Sequence, residues 1–380
     1  MNHAQKTLLA LLKCALHQKT AEGDPETDWS AVFAEASIQT VTALAAKALP
    51  STLSNAERAQ WRNAEYVQLA HYVRYLAAQD ELCRLFRDCE IPMAILKGSA
   101  AAMYYPQPSL RAMGDIDLIV APELYPRAKA LMLEAGYAEK HESMRHCEMM
   151  KNGIEFELHN RFSRGLDIES YVTEGLKSIA AGTIEGHDFP MLPRLSNGMV
   201  LLEHMRSHLE SGMGLRQMID WMMYVERELD DEFWNSCFCA AAKEKKLDVL
   251  ATVAARTCQK YLGLSDTVTW CSGADERLCD ILVENVLSSG NFGQKHGTGG
   301  KVEMVANNIR KNGFLRNLQM AGLSNWIAAK EHPALRPFAW LYQIFRYSGQ
   351  IMRARRGKRI IEDLNRSRER LEMLEKLNIK

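Results

Sequence analysis

Apolar positions in the first ninety residues recur at helical spacing. Leu8, Leu9, Leu11, Leu12, Ala15 and Leu16 share one face of an early helix. Pro25 and the Ser51–Ser54 stretch interrupt the pattern. A long helix is predicted from about Asn55 to Cys89, with Tyr66, Leu69, Val73, Leu76, Leu82 and Leu85 on its buried stripe. At Ile91-Pro92 the texture changes. Met93–Leu96 is a short apolar run ending at Lys97-Gly98-Ser99, as expected for a buried strand entering a turn, and a helix over Ser99–Tyr105 stops at Pro106 and Pro108. Ile116–Val120 is predicted as a second strand, and Pro122–Ala135 as a helix ended by Gly136. Tyr137–His141, Arg145–Lys151 and Ile154–His159 alternate as strands, the last two joined by an Asn152-Gly153 hairpin turn. From about Leu195 the chain is helical again, with apolar stripes at Met199, Leu202, Met205, Leu209 and at Met218, Trp221, Met222, Val225. Further helices are expected near 231–244, 246–262 and 275–288.

This pattern predicts a helix-rich α+β protein. A small mixed sheet of roughly five strands is flanked by N-terminal helices and a helical C-terminal domain. The expected boundaries are 1–90, 91–194 and 195–380, the last ending in a basic tail.

Composition alters the picture in two places. Nine cysteines are scattered without metal-ligand spacing, and Cys237 and Cys239 read as free core thiols. With no secretory leader and no apolar run of membrane-spanning length, a cytoplasmic protein is expected. The net charge is zero, yet residues 301–380 carry 17 Lys/Arg against 7 Asp/Glu. Arg353, Arg355, Arg356, Lys358 and Arg359 follow an apolar segment holding Trp340, Tyr342, Phe345 and Tyr347. Such a tail either docks on the acidic body of its own chain or meets an anionic membrane surface or nucleic acid. The Gly-rich segment 288–300 lacks the spacing of a phosphate-binding P-loop and reads as a connector or a lid.

The chemistry concentrates in Gly98-Ser99 and Gly114-Asp115-Ile116-Asp117-Leu118. On a strand, positions two apart share a face, so Asp115 and Asp117 are expected to project together. Adjacent carboxylates repel, and a hard divalent cation relieves the repulsion. In Ile154-Glu155-Phe156-Glu157-Leu158-His159 the apolar set points one way and the acids and histidine the other. Glu157, at mid-strand, is the expected third acid. His146, beside Arg145 on the preceding strand, is a further candidate to face the site. His204 and His208, four residues apart, read as packing histidines, and Arg216 and Asp220 as a helical ion pair.

Gly-Ser, then Asp-x-Asp, then an acid on a later strand resembles the DNA polymerase beta-like nucleotidyltransferase superfamily. The longer string of Leu96-Lys97-Gly98-Ser99, Tyr104-Tyr105-Pro106, Arg111, Gly114-Asp115-Ile116-Asp117-Leu118 and Glu157-Leu158-His159 resembles one bacterial branch, the "uncharacterised nucleotidyltransferase" family. That branch carries Asp where this chain has Glu157. The resemblance implies attack of an acceptor hydroxyl on the α-phosphate of a nucleoside triphosphate, with release of pyrophosphate. Two Mg²⁺ ions, or Mn²⁺ in their place, would be held by Asp115, Asp117 and Glu157. Glu157 would also accept, or stand near, the hydroxyl proton. Gly98 and Ser99 would cradle the phosphates, Lys97 or Arg111 would neutralise them, and His159 would contact substrate. Two rival expectations stand beside this one. The first is a nucleotide-binding module without turnover, suggested by Glu157; the second is an interaction protein working through its basic C-terminal helices.

Overall fold

A Ser54 cap opens the longest helix among the described residues, Asn55–Asp88, and a sheet is built against its second half. The computed structural model describes residues 1–163, 168–209 and 212–291, residue 295, and short stretches between 319 and 379. Residues 1–294 with 376–380 form one unit and residues 295–375 another. The expected boundaries near 90 and 194 therefore fall inside a single unit.

In chain order the first unit contains helices α1 (His3–Leu16), α2 (Trp29–Ile38), α3 (Thr42–Ala46) and α4 (Asn55–Asp88). Strand β1 (Met93–Leu96), α5 (Gly98–Ala102), β2 (Ile116–Val120) and α6 (Tyr125–Glu134) follow. Next come β3 (Ala138–Glu142), β4 (His146–Lys151), β5 (Ile154–His159), α7 (Glu169–Lys177), β6 (Ala180–Ile184) and β7 (His187–Met191). Helices α8 (Arg194–Leu209), α9 (Leu215–Glu228), α10 (Asp231–Phe233), α11 (Cys239–Glu244), α12 (Asp248–Leu262) and α13 (Glu276–Ser289) complete the unit, with a π-helical turn at Trp234–Phe238.

The strands form one mixed sheet in the order β3-β4-β5-β2-β1-β7-β6. Central β2 pairs antiparallel with β1 and parallel with β5. The turn at Asn152-Gly153 forms as expected, with both residues at positive φ (51° and 74°). Strands β6 and β7 add a second hairpin that the sequence pattern did not announce. Its turn, Glu185-Gly186, also has positive φ at both positions (48° and 86°). A Cβ at Gly182 would lie 2.6 Å from Phe189 Cζ, so a bare backbone there lets the two strands close.

Alternation along the strands divides the sheet into two faces. Ile116, Leu118 and Val120 of β2 and Ile154, Phe156 and Leu158 of β5 enter a core with Tyr72, Tyr75, Leu76 and Phe86 of α4 and Ala128 and Met132 of α6. Each large side chain fully buried there contributes about 1.5–3 kcal/mol. The opposite face carries Asp117, Glu157 and His159. The phase of α4 differs from expectation: Tyr66, Leu69 and Val73 are exposed, while Tyr72, Tyr75, Gln79, Leu82, Cys83 and Phe86 are buried with Leu76. Apolar residues line two faces of this helix, and the sheet selects the one bearing its tyrosines.

The N-terminal helices pack on the C-terminal ones rather than apart from them. Leu8, Leu9, Leu11, Leu12, Ala15 and Leu16 are all buried, and α1 lies against α12. Buried Gln39 accepts a hydrogen bond from Leu215 N at the start of α9 and donates to Val286 O of α13. All nine cysteines are free. Among the described residues, no helix is long and apolar enough to cross a membrane. In the second unit a 3₁₀ helix spans Pro333–Phe338, and Trp326 stacks on Tyr342 with ring centroids 5.2 Å apart. The basic cluster at 353–359 and most of the Gly-rich segment beyond Asn291 lie outside the described residues.

Gly98 is held at φ +21°, and a Cβ there would collide with Tyr75 Oη. Gly98→Ala is expected to cost about 1–3 kcal/mol in urea unfolding. Tyr75→Phe in the same chain should restore part of that loss. Equal stability of Gly98→Ala and the parent would refute this packing.

Candidate active site

The parallel pairing of β2 with β5 sets Asp117 directly beside Glu157, with Ile119 beside His159. Neighbouring strands are about 4.8 Å apart, so both carboxylates emerge side by side from one face. A lysine ammonium and an imidazole meet them. Lys97 Nζ lies 2.6 Å from Asp117 Oδ1. His159 Nε2 bridges the acids, 3.0 Å from Asp117 Oδ1 and 3.2 Å from Glu157 Oε2. Ligand atoms of Asp117, Glu157 and His159 all lie within 4.8 Å of one another. Asp115 lines the same cleft but precedes β2, which starts at Ile116, and it stands outside that trio. The two aspartates thus share a cleft without sharing a strand.

Charge and burial shape these groups together. Burial alone would raise the Glu157 carboxyl, but the His159 hydrogen bond and the Lys97 charge hold it at about 2. Burial likewise disfavours a charged His159, yet its bonds to Asp117 and Glu157 raise it above the ordinary imidazole value. Lys97 is raised too: burial opposes its charge, while Asp117, Asp115 and Glu157 favour it.

The turn after β1 is held from behind by α4. Lys97 adopts φ 50°, ψ −118°, and Gly98 follows with positive φ, so the chain reverses tightly over Tyr75. Ser99 is fully buried and donates to Gln79 Oε1 at 2.7 Å. Its hydroxyl therefore anchors the turn to α4 instead of facing the cleft, because Gln79 offers a buried acceptor one helical turn beyond Tyr75. Arg111 borders the cleft, but its guanidinium is engaged elsewhere. Its Nε and Nη2 each lie 2.8 Å from an oxygen of Asp220, and Tyr105 Oη donates to the same carboxylate at 2.7 Å. The sequence-local pairing of Arg216 with Asp220 does not form, since the buried fork of Arg111 takes both oxygens.

His146 does not itself line the cleft, but it pairs with His159 across β4 and β5, and its ligand atom lies within 4.8 Å of those of Glu148 and Glu157. Its ring sits 5.2 Å from that of His159, with Nδ1 3.1 Å from Ser143 Oγ and Nε2 3.5 Å from Glu148 Oε1. Burial first, then the nearby His159, lowers its proton affinity.

A wall opposite the carboxylates was not read as functional in the sequence. Helices α8 and α9 bring Glu203, His204, Ser207, His208 and Arg216 into the cleft, whose cavity is about 190 Å³. His204 and His208 meet with Nε2 atoms 2.9 Å apart. Burial, His208 and the surrounding Lys97, Arg216 and Arg111 lower the proton affinity of His204 strongly. The i, i+4 spacing of the histidines was the available signal, but spacing alone does not say which face of a helix meets a cleft.

A family model described as "Uncharacterised nucleotidyltransferase" matches residues 25–263. Among solved structures, a crystal structure of an antigenic nucleotidyltransferase-like protein from Paracoccidioides brasiliensis is similar at 14% identity and a TM-score of 0.31, covering 51% of this chain and 95% of that one. No curated protein gives a significant match.

Two predictions follow from the charge network. A group raised in the folded state stabilises the fold fully below its ordinary value of 6.5, and this stabilisation is lost as pH rises through the folded value. In metal-free protein, NMR titration should place the His159 midpoint above 6.5 and that of His204 well below it; Asp117→Asn should lower the His159 midpoint. A His159 midpoint at or below 6.5 contradicts the bridging geometry. The Arg111–Asp220 pair is the second case. Asp220→Ala strands a buried guanidinium and should cost about 3–5 kcal/mol in urea unfolding. Arg111→Met/Asp220→Leu should cost less than Asp220→Ala alone, and a larger loss would count against the pairing.

Proposed function

The chain belongs to the family of uncharacterised nucleotidyltransferases, and from that premise we propose that it is an enzyme transferring a nucleoside monophosphate from a nucleoside triphosphate to a hydroxyl acceptor. The observation that carries this reading is the in-register pair of Asp117 and Glu157, which opens into a cleft that Arg216 also lines.

The donor set suits hard divalent cations. Asp117 and Glu157 present carboxylate oxygens that already draw Lys97 and His159 as counter-cations, and Asp115 lines the same space. Asp115, Asp117 and Glu157 would hold Mg²⁺, in the two-ion arrangement that stabilises attacking and leaving oxygens. When bound, Mg²⁺ supplies positive charge to the phosphates and polarises the acceptor hydroxyl.

The chain's own residues bind and orient. The acceptor oxygen forms a bond to the α-phosphorus as the bond to the pyrophosphate oxygen breaks, and the hydroxyl proton passes to solvent water. Glu157, held at about 2, is a poor resting place for that proton at neutral pH and contributes as a fixed negative charge. Lys97 stands on the strained turn between carboxylates and cleft, where it can pair with phosphate oxygens. Gly98 lines the cleft, and its missing side chain lets the turn close over Tyr75. Arg111 acts through Asp220 and Tyr105, fixing the loop that leads to Asp115.

A binding-only module was the rival raised by Glu157 in place of aspartate. The close approach of Glu157 to Asp117 favours turnover, because the longer side chain still brings its oxygen into the ligand trio.

The test is pyrophosphate release from each nucleoside triphosphate with Mg²⁺ and pools of hydroxyl acceptors. Asp115→Asn/Asp117→Asn is expected to lower release by about 10²–10³-fold, the usual scale for losing preorganised charge stabilisation. Equal release by the parent and the double variant defeats the proposal.

A further inference from the structure

Arg216 is a cation without a counter-ion at the edge of an otherwise balanced charge network. It sits in the first turn of α9, and the carboxylate one turn on, Asp220, is fully used. Asp220 Oδ1 accepts from Arg111 Nε and Tyr105 Oη, and Oδ2 accepts from Arg111 Nη2. Arg216 Nη1 donates to Ala112 O at 3.0 Å, while its Nε is buried with no partner. Among the described residues, no carboxylate forms an ion pair with it. It lines the cleft that also holds Asp115, Asp117 and Glu157.

Burial disfavours this charge, and nearby Arg111 acts in the same direction; Asp220 and Asp115 offset them only in part, without forming an ion pair. His204, on the same wall, is surrounded by Arg216, Arg111 and Lys97. A half-buried guanidinium whose Nε is buried without a partner is costly unless an anion arrives. Its planar fork of N–H donors matches phosphate oxygens and can hold two at once.

We propose that Arg216 is the anion anchor of this cleft, taking the β- and γ-phosphates of the triphosphate, and the pyrophosphate after transfer, on the wall opposite the carboxylates. This inference rests on the nucleotidyl-transfer reading for the identity of the polyanion, but not for the existence of the anion site. It divides the cleft into two parts. The sheet supplies negative charge where cations bind, and α9 supplies positive charge where phosphates bind. Arg216 is then a substrate-binding residue, and Asp220 is a positioning residue that keeps Arg111 from competing for the same anion.

The experiment uses the full chain and inorganic tripolyphosphate as probe, measured by calorimetry in EDTA, with Mn²⁺ binding followed separately by electron paramagnetic resonance. Arg216→Gln, which keeps a long polar side chain, is expected to weaken tripolyphosphate binding by about tenfold or more while leaving Mn²⁺ binding unchanged. Arg216→Lys should fall between the two, since it keeps the charge but loses the fork. Asp115→Asn/Asp117→Asn should show the reverse pattern, losing Mn²⁺ and retaining tripolyphosphate. Parent-like tripolyphosphate affinity in Arg216→Gln overturns the assignment, as does a parent protein that binds no tripolyphosphate. The two readings fail separately. Release of pyrophosphate by a parent whose tripolyphosphate affinity ignores Arg216→Gln removes the anchor and keeps nucleotidyl transfer. Arg216-dependent tripolyphosphate binding with no release from any nucleotide keeps the anchor and removes transfer.

Discussion

Two carboxylates on adjacent strands at the same register are the constraint around which this protein is organised. Asp117 and Glu157 are neighbours because β2 and β5 run parallel and in phase. A slip of one residue would send each to the opposite face, into the apolar layer under α4. The apolar alternation of Ile116, Leu118, Ile154, Phe156 and Leu158 therefore does two jobs: it fills the core and fixes the acids on the other side. The resulting repulsion is answered by Lys97 and by His159, which reaches both acids from the same strand as Glu157.

The supporting structure reaches the site from behind. Tyr75 and Gln79, one turn apart on α4, receive the Gly98 backbone and the Ser99 hydroxyl. The Lys97 backbone is left in an uncommon conformation, and the anchoring on either side keeps it there. On the other flank, Arg111 and Tyr105 converge on Asp220, so the loop between α5 and β2 is tied to α9. Two elements far apart in sequence, α4 and α9, thus hold the segment between Lys97 and Asp117.

Much of this was legible in the chain, for identifiable reasons. The apolar face of α1, the span of β2, the Asn152-Gly153 turn and the orientation of Glu157 follow from short-range rules of period and turn geometry. What escaped depends on partners distant in sequence. The phase of α4 was misjudged because apolar residues line two of its faces and only the sheet decides between them. Ser99 next to glycine suggested a phosphate contact, but Gln79, twenty residues earlier, claims its hydroxyl. Arg216 and Asp220 have ideal local spacing, yet Arg111 offers a buried two-pronged alternative. The hairpin of β6 and β7 is poor in β-branched residues and depends on Gly182 to admit Phe189, a contact that no alternation pattern encodes.

The helical flanks also complete the cleft. The wall bearing Glu203, His204 and Arg216 comes from α8 and α9, so the α/β segment alone would own the acids but not that guanidinium. Helix α9 in turn is positioned from the N-terminal side. Gln39 sits at the end of α2 without exposure to solvent, accepts the Leu215 N–H, and donates to Glu35 and to Val286 O. Leu215 directly precedes Arg216. A glutamine in the first forty residues therefore ties down the first turn of the helix that faces the carboxylates, and it does so through both ends of one amide. A buried amide satisfied at both its oxygen and its nitrogen resists displacement, since moving α9 would leave polar groups unpaired away from water. The two walls of the cleft are held at a fixed separation by this brace on one side and the Arg111–Asp220 fork on the other.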